Sequence, residues 1–173
     1  MIVKNEELII KRAQHKKTLL ILLAVIFVIL FKSYVMNRVI ISGIFMESTY
    51  KHGDIVFAEK ITKYYKVSRY DVVVINIKGM VIIKRIIGLP NETVLIKNGR
   101  IYIDGEALIG DDVYIDYAGA AAEPYYLSGD EYFVLGDNIN ESYDSRDVGA
   151  VTKKQITGKP IFRVFPLDRI GLT

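Results

Sequence analysis

The 173-residue sequence has no cysteine and no tryptophan, and it holds only two histidines and four prolines. Without cysteine there is no disulfide and no thiolate metal site. His15 and His52 stand far apart with no ligand spacing around them, so a metal centre and a histidine base both lack support. No metal and no cofactor are expected. Lys and Arg number 23 against 20 Asp and Glu, and the net charge of +3 gives no case for nucleic acid as a partner. The length suits one domain with a core of its own. What is plentiful is valine, isoleucine and tyrosine after residue 39, which favours strands.

The first part of the chain reads differently. Residues 1–17 carry Lys4, Lys11, Arg12, Lys16 and Lys17 against Glu6 and Glu7. An uncharged run of about 14 residues follows from Thr18 to Phe31, shorter than the roughly 20 that cross a bilayer. Lys32, whose amine can reach out to water, and Tyr34, which suits an interface, extend it to Met36. A cleavable secretory signal has the same charged start and apolar middle, but no small-x-small pattern follows the run. The expected organisation is a basic cytoplasmic tail over 1–17, a transmembrane anchor over 18–36 and an extracytoplasmic domain over 37–173. That makes the protein a single-pass protein of the cell membrane with the bilayer as one partner.

From Val39 onward short apolar runs alternate with turn signals. Asn98-Gly99 and Asp104-Gly105 are hairpin turns. Residues 106–130 are less patterned and read as a long loop or insertion. Ile156 to Phe165 reads as the strand that closes the sheet, with Pro160 marking an edge or a bulge. The predicted fold is mainly β, with antiparallel strands covered by one another rather than by helices.

Met80 to Glu92 is the most informative stretch. Side chains alternate across a strand, so Ile82, Lys84 and Ile86 share one face. A lysine between two isoleucines either snorkels to water or is held in low dielectric. In the second case its pKa falls from about 10.4 toward neutrality, and the neutral amine is a usable base. The polar segment from Gly136 to Asp147 is the second candidate. Read alone it is either a plain turn or a loop in which Asp144 pairs with Arg146 and Ser142 meets an amine such as Lys84.

Four stretches then match one family in order. Ser42-Gly43-Ile44-Phe45-Met46-Glu47-Ser48-Thr49 with Gly53-Asp54 comes first. Tyr70-Asp71-Val72-Val73-Val74 is second, with Tyr70 where a glycine is usual. Lys84-Arg85-Ile86-Ile87-Gly88-Leu89-Pro90 is third, and Gly136-Asp137-Asn138 through Ser142, Asp144, Ser145 and Arg146 is fourth. After an N-terminal anchor, this order resembles a type I signal peptidase of the compact Gram-positive kind. The resemblance implies two antiparallel β-sheets preceded by one transmembrane helix, with an apolar face against the bilayer. It implies a serine/lysine dyad that cuts signal peptides from exported preproteins. Backbone and hydroxyl donors would hold the oxyanion. By match, Lys84 is the general base and Ser142 orients it. Asp144 and Arg146 form a structural pair, Asp137 is structural, and Gly43, Ile44 and Met46 lie on or beside the substrate groove.

One departure bears on activity. The family's nucleophilic serine precedes the box methionine, and that position is Phe45. A phenyl ring has no atom that attacks a carbonyl. The usual box proline is also replaced, by Ser48. Three readings follow. The chain is a signal peptidase that has lost its nucleophile; or Ser42 or Ser48 substitutes; or it is a non-catalytic relative that assists exported surface proteins such as pilins. In an extended segment, Ser42 and Ser48 sit three residues from Phe45, point the opposite way and are displaced by about 10 Å, more than near-attack geometry tolerates. Retention of Lys84 argues against the third reading, since an unused buried amine only costs stability.

Overall fold

A computed structural model describes residues 14–29, 36–108 and 114–173. Residues 1–13 of the expected tail, 30–35 of the expected span and 109–113 of the expected loop lie outside the described residues. The chain forms two units, divided after Met36. In the first, residues 14–29 form helix α1 with every side chain exposed. Among the described residues no helix is long and apolar enough to cross a membrane.

The second unit is built from strands β1 (Met36–Ile40), β2 (Ile55–Glu59), β3 (Val72–Ile77), β4 (Met80–Gly88), β5 (Thr93–Lys97) and β6 (Arg100–Ile103). They are followed by β7 (Glu106–Ala107), β8 (Tyr125–Tyr126), β9 (Glu131–Leu135), β10 (Val151–Thr152), β11 (Ile156–Phe165) and β12 (Gly171–Leu172). A single turn of helix, α2 (Ser145–Val148), lies between β9 and β10. The larger sheet runs β1-β2-β11-β3-β4-β9-β10, with β12 beside β11. The smaller runs β7-β6-β5-β8. The architecture is mainly β in two antiparallel sheets.

Local turn chemistry sets the hairpins. Asn98 and Gly99 both take positive φ, as a two-residue turn with the twist of its flanking strands requires. Lys78-Gly79 and Asp104-Gly105 do the same between β3 and β4 and between β6 and β7. Strand β4 is apolar apart from Lys84 and Arg85, and from Ile83 onward it is mostly buried. Ile83 packs into one buried cluster with Val56 and Val74, and Ile86 into another with Val73, Ile75 and Val134. Ile87 enters a third cluster, shared with Val94 and Phe133, which joins the small sheet to the large one. At the end of β4 a Cβ on Gly88 would stand 2.7 Å from side-chain atoms of both Leu127 and Val94, so only glycine fits.

Two expectations are corrected. Strand β11 does not close the sheet. It lies in its middle, pairing with β3 at Ile156 and Gly158 and with β2 from Lys159 to Phe165. Pro160, which has no N–H for a ladder, is accommodated at a register shift between Pro160 and Phe162. Residues 106–130 are also more structured than a plain loop: β7 and β8 flank the small sheet, and a 3-10 turn spans Gly119–Ala121.

Candidate active site

Strand β4 supplies the central side chain. Lys84 is paired opposite Val73 and is only 1% exposed. Its Nζ donates to the Ser142 Oγ at 2.6 Å. The same nitrogen lies 4.6 Å from the centre of the Phe45 ring. Burial, countered by the carboxylate of Asp144 and reinforced by the Arg146 guanidinium, lowers the Lys84 pKa from 10.5 to about 8. An amine so placed is in reach of its neutral form near physiological pH, where it accepts a proton.

Ser142 is held by the segment after β9, and a buried ion pair fixes that segment. Asp144 and Arg146 are almost wholly enclosed and paired two-fold, Nε to Oδ1 at 2.8 Å and Nη2 to Oδ2 at 2.9 Å. Asp144 also caps the N-terminus of α2 and accepts from the Gly136 N–H at 3.1 Å. The remaining Arg146 N–H groups reach the carbonyls of Tyr117, Ile139 and Ser142. One guanidinium therefore folds the segment around Ser142 on itself and ties it to the chain at Tyr117.

Phe45 is held by the other end of the same segment. The Asn138 N–H donates to the Phe45 carbonyl at 3.0 Å, and the Asn138 side chain donates to the Ile44 carbonyl at 3.2 Å. A Cβ on Gly136 would overlap Ser142 and stand 2.5 Å from the Phe45 oxygen, so glycine is required where these segments meet. Residues 44–50 are not extended. The Glu47 N–H bonds to the Ile44 carbonyl and those of Thr49 and Tyr50 to the Met46 carbonyl, which makes a tight turn. The extended geometry expected for Ser42 and Ser48 is therefore not the one the chain adopts. Ser42 lines the same cavity as Phe45, while Ser48 lines a different one with Thr49, Tyr70 and Arg85.

The first of these cavities, about 210 Å³, lies between β1 and the leading half of β4. There β4 pairs only with β3, since β9 joins it from Arg85 onward. The cavity is lined by apolar side chains, Phe45, Met46, Ile41 and Ile83 among them. Of the three residues expected beside a groove, Met46 lines it; Gly43 and Ile44 are not in its lining. The Gly43 N–H is instead held by the His52 Nδ1 at 3.1 Å.

Sequence reasoning named Asp137 as structural but missed its partners Arg85 and Thr49, which form a second polar clamp with it on the opposite face of β4. Arg85 donates to both oxygens of Asp137, at 2.7 and 2.6 Å, and to the Tyr70 carbonyl at 2.8 Å. Thr49 Oγ donates to Asp137 at 2.5 Å. The clamp joins the turn after residue 44, strand β4 and the start of the Ser142 segment. For Arg85 the signal in the sequence is that it adjoins Lys84 and so points to the other side. Tyr70 has a φ of 71°, the left-handed region that glycine enters without strain.

The family model described as "Signal peptidase, peptidase S26" matches residues 14–165. Signal peptidase I of Bacillus amyloliquefaciens is 34% identical over 164 residues, covering 88% of this chain and 89% of that protein. Signal peptidase I S of Bacillus subtilis (strain 168) is 31% identical, covering 98% of this chain and 99% of its own. The crystal structure of a signal peptidase I from Enterococcus faecalis overlaps 55% of this chain and 97% of its own at 29% identity, with a TM-score of 0.46.

Proposed function

The chain belongs to the signal peptidase family, peptidase S26, and we propose that it carries the family's serine/lysine site complete except for the attacking oxygen. In this reading Lys84 is the general base, Ser142 orients it, and Phe45 occupies the nucleophile's position. The substrates are signal peptides of exported preproteins. Residues 18–36 anchor the protein in the cell membrane, with 1–17 in the cytoplasm and 37–173 outside. The exposed apolar side chains of α1, from Leu19 to Ile29, support an anchor, because water is a poor solvent for such a surface.

The observation that carries the reading is the placement of Phe45 against the Lys84 amine. A hydroxyl at residue 45 would need that amine. The oxygen would attack the scissile carbonyl carbon while its proton passes to the Lys84 nitrogen. The C–N bond would then break, the proton leaving with the new amine, and water would release the acyl group. With a phenyl ring there is no oxygen to attack, and the ring takes up room in the apolar cavity. The test is cleavage of a small-x-small preprotein by the full chain in vesicles. The chain as it stands leaves the preprotein intact. Phe45→Ser cuts it, at a rate on the order of 10³-fold or more above that background, and adding Lys84→Ala abolishes the gain. Robust turnover by the unaltered chain would overturn the reading.

A second reading is favoured by the same ring. A groove that holds an exported chain without cutting it, as an assembly factor for surface subunits such as pilins would, has no need of the nucleophile. It gains ground if Phe45→Ser binds preprotein and never cuts it.

A further inference from the structure

A second cavity, about 240 Å³, lies near the apolar one and shares Val39, Ile40 and Val81 with it. Its lining differs in chemistry. Asn37, Arg38, Asn76 and Thr157 bring polar groups, and no carboxylate lines it. Arg38 is exposed, and none of the described ion pairs includes it. The Asn76 Oδ1 accepts from the Gly79 N–H at 2.9 Å, so its amide N–H groups remain as donors. The Thr157 hydroxyl donates to the Val74 carbonyl, which turns its lone pairs outward. A guanidinium with carboxamide donors and no competing anion is a phosphate-type site. Ile40 and Val81, both more than half exposed, give the same cavity apolar surface.

We infer that this cavity binds the headgroup of an anionic phospholipid, with Arg38 on the phosphodiester and Asn37 and Asn76 beside it. A free phosphate would use the donors but not the apolar surface. The volume is below the roughly 300 to 1,000 Å³ of pockets that enclose whole drug-sized ligands, which fits a headgroup whose tails stay outside. The inference rests on the anchor reading: Asn37 and Arg38 directly follow residue 36, where the proposed span ends. Basic pockets on the cytoplasmic side of spans recognise lipid headgroups by the same charge and hydrogen-bond chemistry, which is placed here on the outer side.

The test uses the full chain in a neutral detergent, with native mass spectrometry counting bound dioctanoyl phosphatidylglycerol. The wild type retains one lipid. Arg38→Gln lowers its occupancy about tenfold, as expected for loss of one charge-assisted contact, and Arg100→Gln, on the small sheet, leaves it unchanged. Equal retention by Arg38→Gln, equal retention of dioctanoyl phosphatidylcholine, or displacement by an equal concentration of inorganic phosphate would each overturn the assignment. Extraction of membranes with alkaline carbonate tests the anchor separately. Release of the full chain there overturns the anchor reading, and with it the placement of the site at a bilayer, whatever the lipid count.

Discussion

The Lys84 nitrogen lies 4.6 Å from the centre of the Phe45 ring. Two effects oppose each other at that nitrogen. Burial favours the neutral amine, while the π-face of the ring favours the ammonium by about 0.5–2 kcal/mol. Removing the ring therefore helps the amine lose its proton, just as it makes room for a hydroxyl.

The pH profile of Phe45→Ser should show this. Its kcat/KM rises with pH, because only unprotonated Lys84 accepts a proton, and the midpoint lies at or below about 8. Ser142→Ala in the same background lowers kcat more than it raises KM, since it disturbs the base and not the groove. A profile flat from pH 6 to 9 would exclude Lys84 as the proton acceptor.

Stability should carry the same signature. The Lys84 pKa is about 8 in the fold against an ordinary 10.5, a difference worth about 3 kcal/mol. Below pH 8 both folded and unfolded chains hold the proton, so the fold bears the full cost of a buried charge. Between 8 and 10.5 the unfolded chain binds more protons, so stability rises with pH. Lys84→Met, which loses the bond to Ser142 but buries no charge, is expected to gain about 1–2 kcal/mol at pH 7. The advantage shrinks as pH rises toward 10. Urea unfolding at several pH values measures both.

Breaking the ion pair under Ser142 has the opposite effect. Arg146→Met leaves Asp144 buried without its cation and frees the carbonyls of Tyr117, Ile139 and Ser142. A loss of about 3–5 kcal/mol is expected in thermal or urea unfolding. A loss below about 1 kcal/mol would show that the segment holds itself without the guanidinium.

Tyr70 offers a gain. Its left-handed backbone costs a side-chain-bearing residue about 1–2 kcal/mol, and the bond it gives Arg85 comes from its carbonyl. Its side chain is 43% exposed. Tyr70→Gly keeps the carbonyl and removes the strain, so stability is unchanged or up by about 1 kcal/mol, read as a rise in unfolding midpoint.

Local signals carried much of the fold. Asn98-Gly99 and Asp104-Gly105 dictate their turns because few other residue pairs enter positive φ cheaply. The apolar run around Lys84 is a strand wherever it lies in the sheet. Long-range placement escaped the sequence. Pro160 marked irregular pairing but could not say that β11 runs through the middle, since a bulge serves an inner strand as well as an edge. Nothing local distinguishes an extended segment 44–50 from the turn that forms, because that turn is closed by Asn138 and Asp137 from far along the chain.

The sequence by itself determined the family, the strand bearing Lys84 and the absence of a hydroxyl at residue 45, since each is a matter of residue identity and order. Only the tertiary structure decided that Lys84 is enclosed, that Ser142 is its hydrogen-bond partner and that the Phe45 ring faces the same nitrogen. An amine's solvation depends on what surrounds it in space, and those surroundings come from three separated segments, joined by the Arg85–Asp137 pair and by the Asn138 bonds to residues 44 and 45, while the Asp144–Arg146 pair fixes the loop that carries Ser142.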